Sequence, residues 1–182
     1  MALARQLRQP HAALADLCEG FFDSLDFLAD CPRVEAEALP DAAQRLLVHR
    51  DHMTTVLQSA YGAPVQLEVI AEQHESRAYL RKILLRIEPA GLIVELGIVR
   101  IDLRFIPPAV EREILDRSAP LGDVLIRADL LRRVSPRWFF HFPVSTPIAA
   151  AMCRPGSRAY GRVGTIYCND EPAIDLLEVV AV

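Results

Sequence analysis

Gly62 divides this chain by hydrophobic period, and that division constrains the fold more than any other feature. Ahead of it, apolar residues recur every three or four positions; beyond it they alternate. Leu14, Leu17, Cys18, Phe21, Phe22, Leu25 and Leu28 form one apolar stripe. It predicts a helix over residues 10–28, opened by Pro10 and ended by Cys31-Pro32. Pro40-Asp41 opens a second helical stretch through Val48. Asp51 is a candidate cap for a third, which carries Met53, Val56, Leu57 and Ala60 and stops at Gly62. Then Val65, Leu67 and Val69 alternate with polar residues, and 78–88 and 92–103 read as long strands joined by the turn Pro89-Ala90-Gly91. Residues 107–116 and Leu121 to Ile126 read as helices led by prolines, and 130–142, 158–168 and 173–181 as strands. The segment 143–157, proline-bearing at its ends, reads as a mobile flap. Helices followed by antiparallel strands predict one α+β domain over 1–182, a mainly antiparallel sheet with helices packed on one face.

Composition narrows the partners. The chain has 182 residues, 52% hydrophobic, which is enough for a real core and too apolar for disorder. Its 20 basic and 24 acidic residues leave a net charge of −4, which argues against a nucleic-acid partner. No run of about 18 apolar residues exists, so no membrane span is expected. Arg5, Arg8 and Asp16 interrupt the N-terminal stretch, unlike the apolar core of a signal peptide. Cys18, Cys31, Cys153 and Cys168 form no C-x-x-C pair and read as reduced thiols of a cytoplasmic protein.

Charge interrupts the strand pattern at a few positions. On 78–88 one face is Tyr79, Arg81, Ile83, Leu85 and Ile87, with Arg81 in the middle of an apolar row. On the last strand Glu178 is the sole charge among Ile174, Leu176 and Val180. A buried charge needs a partner or a ligand. Either Arg81 and Glu178 pair with each other, or they line a pocket for a small polar molecule. In the pocket, the arginine fork would take a carboxylate and the glutamate a hydroxyl. Arg100 is a weaker candidate for a second pocket cation or the polar end of its strand, and the role of Glu95 is open.

Other signals carry little. His49 and His52 make an H-x-x-H without a third ligand at zinc-like spacing, so no metal is expected. The sequence has no G-x-G-x-x-G, P-loop or G-x-S-x-G, so nucleotide cofactors and serine-hydrolase chemistry have no support. Arg132-Arg133 with Trp138, Phe139 and Phe140 reads as an amphipathic strand rather than a nucleic-acid patch.

Four blocks in order resemble the chorismate lyases, which release pyruvate from chorismate to make 4-hydroxybenzoate. They are Asp51-His52-Met53-Thr54, Tyr79 through Leu85, Pro120 through Leu125, and Pro172 through Glu178. The likeness runs from about residue 46 to 180, and Glu95 through Asp102 looks closer to a divergent branch of that family. Residues 1–45 match no motif.

The resemblance implies an antiparallel sheet with helices and flaps closing over an internal ligand pocket, and a lyase that needs no cofactor. Arg81 matches the arginine that binds the ring carboxylate, and Glu178 the carboxylate that faces the ring hydroxyl. Met53 and Leu121 match positions whose backbone N–H groups help hold the ligand. The family's flap arginine directly follows a glycine; here Ile98 follows Gly97, and Arg100 is the candidate replacement. The last strand is also one residue longer between its proline and its glutamate. The expected ligands are chorismate and a hydroxybenzoate, with no nucleic-acid or membrane partner. Two alternatives stand beside this: an effector-sensing domain of the same fold that binds an aromatic acid without turnover, and a lyase acting on a modified chorismate in secondary metabolism.

Overall fold

The computed structural model describes residues 9–152 and 154–182; Arg5, Arg8 and Cys153 lie outside them. Seven antiparallel strands form one sheet in the order β1-β5-β6-β7-β4-β3-β2. They are β1 (Arg33–Val34), β2 (Val65–His74), β3 (Ala78–Ile87), β4 (Leu92–Asp102), β5 (Arg132–Phe142), β6 (Ala159–Cys168) and β7 (Glu171–Ala181). The helices are α1 (Pro10–Cys18), α2 (Asp41–Leu47), α3 (Met53–Tyr61), α4 (Pro108–Asp116), α5 (Leu121–Arg127) and the short α6 (Pro147–Ala150). The α+β class and the antiparallel sheet are those expected from the pattern.

Side-chain alternation gives the sheet two buried faces. Tyr79, Ile83, Leu85, Val99, Ile101, Ile174, Leu176 and Val180 point to one, where α2 to α5 pack. The expected helical layer is this one. Leu80, Leu84, Leu96, Ile98, Val163, Leu177 and Val179, with Phe140 and Phe142 of β5, point to the other, which α1 covers. Sheets covered on both sides lose clean alternation of buried and exposed residues, and β3 is accordingly buried along nearly its whole length.

Several boundaries differ from the sequence reading. The helix expected over 10–28 ends at Cys18, and Gly20 follows with φ +75°. A side chain at Gly20 would also strike the Gln73 amide, 2.4 Å from its Cβ position. Phe21 and Leu28 nevertheless bury in the same cluster as Leu14 and Leu17, so the stripe records a shared face rather than one continuous helix. Asp51 does not cap α3: His52 stands at the N-cap, with no side-chain bond. Strand β2 runs on to His74, past the alternating residues, because its pairing with β3 resumes after a bulge between Val69 and Ala71.

The flap expected over 143–157 packs on the face covered by α1. Its Ile148 and Ala149 are fully buried beside Phe140 and Phe142, and Thr146 caps α6 by accepting from the Ala149 N–H at 3.2 Å. The residues after Gly97 are not a flap either, since β4 is paired on both sides there. Among the described residues, no helix is long and apolar enough to cross a membrane.

Candidate functional site

Strand register places the buried charges on three successive rungs of the sheet face that carries α2 to α5. Arg81 stands on the rung of Val99 and Leu176. The next rung holds Ile83, Gly97, Glu178 and Arg162. Glu95, opposite Leu85, lies one rung further. Same-face neighbours along a strand are about 7 Å apart, so long side chains from all three rungs reach a common space. Arg81, Glu178 and Glu95 line one cavity with His52, Met53 and Thr54 from the start of α3 and Pro120, Leu121 and Gly122 from the start of α5, while Arg162 stands behind Glu178. The cavity has a volume of about 50 Å³. A cavity of about 150 Å³ is what a benzene ring needs, so an aromatic ligand enters only if side chains or the covering helices shift.

Arg81 is 2% exposed and forms no ion pair among the described residues. Its Nη1 donates to the Ile114 carbonyl at a long 3.4 Å, and its Nε has no partner. Burial makes the guanidinium easier to deprotonate than usual; the neighbouring Tyr79, whose hydroxyl donates to Glu72 at 2.8 Å, works the other way. A buried guanidinium thus keeps a donor facing the cavity wall without a partner among the described residues.

Glu178 does not pair with Arg81. Its Oε2 accepts from Arg162 Nε at 2.5 Å. Arg162 is fully buried, and its Nη1 also donates to the carbonyls of Leu47 at 3.1 Å and His49 at 3.0 Å. Its Nη2 reaches the Asp51 carbonyl at 3.4 Å. One guanidinium thus holds Glu178 in place and ties the 47–51 connection to the sheet, setting the start of α3 over the cavity. The sequence reading missed Arg162. The signal was there: it is the sole charge in Ala159–Cys168, as Glu178 is on its own face.

Met53 and Leu121, expected to offer backbone N–H groups, are the first residues of α3 and α5 and both line the cavity. First-turn N–H groups have no partner within a helix. Arg100 is not part of this cavity. It points to the face covered by α1 and grips Glu75 through two bonds of 2.6 and 2.5 Å. There it lines a separate pocket with Leu17, Arg137 and Asp175. Burial and the nearby arginines favour neutral imidazoles at His49 and His52. His49 is engaged with the Leu46 carbonyl at 2.8 Å, and no cluster of three metal-ligating side chains forms among the described residues.

Two glycines shape the cavity. A Cβ on Gly122 would lie 2.9 Å from Thr54 Oγ1, so α5 and α3 meet closely over the site. A Cβ on Gly97 would lie 3.0 Å from Ile83 Cδ1 and 3.1 Å from Glu95 Oε1. Gly97→Ala therefore crowds the cavity wall from inside a strand. The variant is expected to lose about 1–3 kcal/mol of stability by overpacking and to bind an aromatic acid more weakly. Denaturant melts with ligand titration check this; wild-type behaviour in both would show that the wall has slack.

No protein-family model matches the chain, and no curated protein matches it. Among solved structures it is similar to PhnF from Mycobacterium smegmatis, with a TM-score of 0.55 and 14% sequence identity. The match covers 75% of this chain and 66% of that one, so the chain spans slightly under two thirds of PhnF. At that identity the likeness carries the fold alone. The shared fold is α+β, an antiparallel sheet with helices packed against it.

Proposed function

We propose that the chain is a lyase that converts chorismate to 4-hydroxybenzoate and pyruvate. The observation that carries this reading is one cavity lined both by Arg81, which has no ion-pair partner among the described residues, and by an Arg162-held Glu178, together with the starts of α3 and α5. An aromatic acid with a carboxylate at one end and a hydroxyl at the other has matching chemistry.

The chemistry asks little of the protein. The C3–O ether bond of chorismate breaks, the C4 proton leaves, and the ring becomes aromatic. The enolpyruvyl fragment ends with that proton and becomes pyruvate, so atoms balance without a cofactor. Arg81 would hold the ring carboxylate with its free Nε and an Nη. Glu178 would accept the C4 hydroxyl, which fixes the neighbouring C4–H bond. The N–H groups of Met53 and Leu121 would add donors. A cavity that holds one conformer supplies orientation and fixed dipoles, the terms that matter when no bond to the enzyme forms. Because the cavity is tight, opening of its cover is expected to set the pace of product release.

A non-catalytic effector-binding role is the second reading, favoured by the occurrence of such domains in this fold. Incubating pure protein with chorismate in the presence of a chelator separates the two. Hydroxybenzoate and pyruvate in equal amounts is the expected result. Tight binding of 4-hydroxybenzoate without turnover of chorismate would make it an effector-binding domain. Absence of both overturns the site.

A further inference from the structure

Glu95 has no function in the scheme above, and its surroundings are unusual. It is 3% exposed, and its Oε2 has no hydrogen-bond partner. Among the described residues the cation that acts on it is Arg162, which is committed to Glu178 and to backbone carbonyls. A buried carboxyl beside a carboxylate, with no cation of its own, keeps its proton. Burial first and Glu178 second push Glu95 well above the ordinary carboxyl range. As a neutral acid it has an O–H to give and, within the protein, nowhere for its Oε2 to give or take a bond.

An unsatisfied polar group in a core costs stability, and an apolar side chain of similar size would cost less. Glu95 stands on the cavity wall, one rung from Glu178 and on the same face, with Gly97 lacking the side chain that would separate them. The two carboxyls therefore address neighbouring parts of whatever fills the cavity, at the end away from Arg81.

We propose that Glu95 contacts the ligand as a carboxylic acid, donating to an oxygen on the ring carbon next to the one whose hydroxyl Glu178 accepts. The site then selects cyclic acids with two adjacent oxygen substituents opposite the carboxylate. In chorismate these are the C4 hydroxyl and the C3 ether oxygen; in an aromatic acid they are the oxygens of a 3,4-dihydroxybenzoate. This inference rests on the aromatic-acid reading of the cavity, whether or not the ligand is turned over.

Titrating 4-hydroxybenzoate and 3,4-dihydroxybenzoate into the wild type, Glu95→Gln and Glu95→Leu tests it. The wild type is expected to prefer the dihydroxy acid by about 3- to 10-fold, the worth of one neutral hydrogen bond. Glu95→Gln should keep the preference, since its amide also donates. Glu95→Leu should bind the two ligands alike while melting at the same or a higher temperature, which shows it folded. A wild type without the preference, or a preference that survives in Glu95→Leu, overturns the role of Glu95 alone. Failure of the wild type to bind either acid overturns the aromatic-acid reading and this inference with it.

Discussion

Arg81→Met is expected to weaken binding of 4-hydroxybenzoate by about ten- to a hundredfold while leaving the ligand-free protein at least as stable as the wild type. The two effects have opposite signs because the cation has no carboxylate partner in the empty cavity. Its Nε is orphaned and its one described hydrogen bond to a carbonyl is long. Removing a buried, unpaired charge relieves a desolvation cost. Once a carboxylate is bound, the same guanidinium supplies charge-assisted bonds worth about 1.5–3 kcal/mol, and without it the ligand's anion is buried with no cation nearby. Arg81→Lys should recover part of the affinity, because an ammonium keeps the charge and loses the planar fork. Ligand-induced shifts in melting temperature report both terms, since stabilisation grows as about RT ln of the ligand excess over Kd. If the variant melted several degrees lower without ligand and bound 4-hydroxybenzoate normally, Arg81 would be a structural cation.

The charges that matter were legible as interruptions of apolar rows, but their partners were not. Arg81 and Glu178 stand out within their own strands. Whether they meet depends on which strands lie between them, and β4 separates β3 from the β7 strand that carries Glu178, whose other neighbour brings Arg162. Face is a matter of parity and register together, and a shift of one residue inverts it. Arg81 is opposite Val99, which puts the odd-numbered residues Glu95, Gly97 and Val99 in the cavity and Arg100 on the far side. No local pattern reveals that pairing. The flap assigned to 143–157 failed for another reason. Its prolines do mark a loop, but Ile148 and Ala149 bury it against the sheet, and burial of that kind depends on what lies opposite. The N-terminal stripe misled about length because a positive-φ glycine turns the chain without changing which face is apolar.

Arg162→Leu is expected to be the most damaging single substitution to the fold. It removes the guanidinium that satisfies Glu178 and the carbonyls of Leu47 and His49. Glu178 would remain buried next to Glu95, and breaking a buried ion pair from one side costs about 3–5 kcal/mol. For a chain of this size each kcal/mol is about 2–4 °C in Tm, so a loss on the order of 10 °C is expected. The 47–51 connection would also come loose, and with it the start of α3 that covers the cavity, so ligand binding should fall even below the new Tm. Glu178→Gln makes the informative contrast. It keeps the size and an acceptor for Arg162, so the fold should survive. Its amide is a poorer acceptor for the ligand's hydroxyl, so the elimination rate should fall more than product affinity does. The double variant Arg162→Leu with Glu178→Leu closes the cycle. If the pair is structural in the way its geometry indicates, removing both partners recovers part of the stability lost in Arg162→Leu, because no buried charge is then left alone. Equal melting temperatures for Arg162→Leu and the wild type would mean that Glu178 finds its compensation elsewhere, and the account of how the cavity is held together would be wrong.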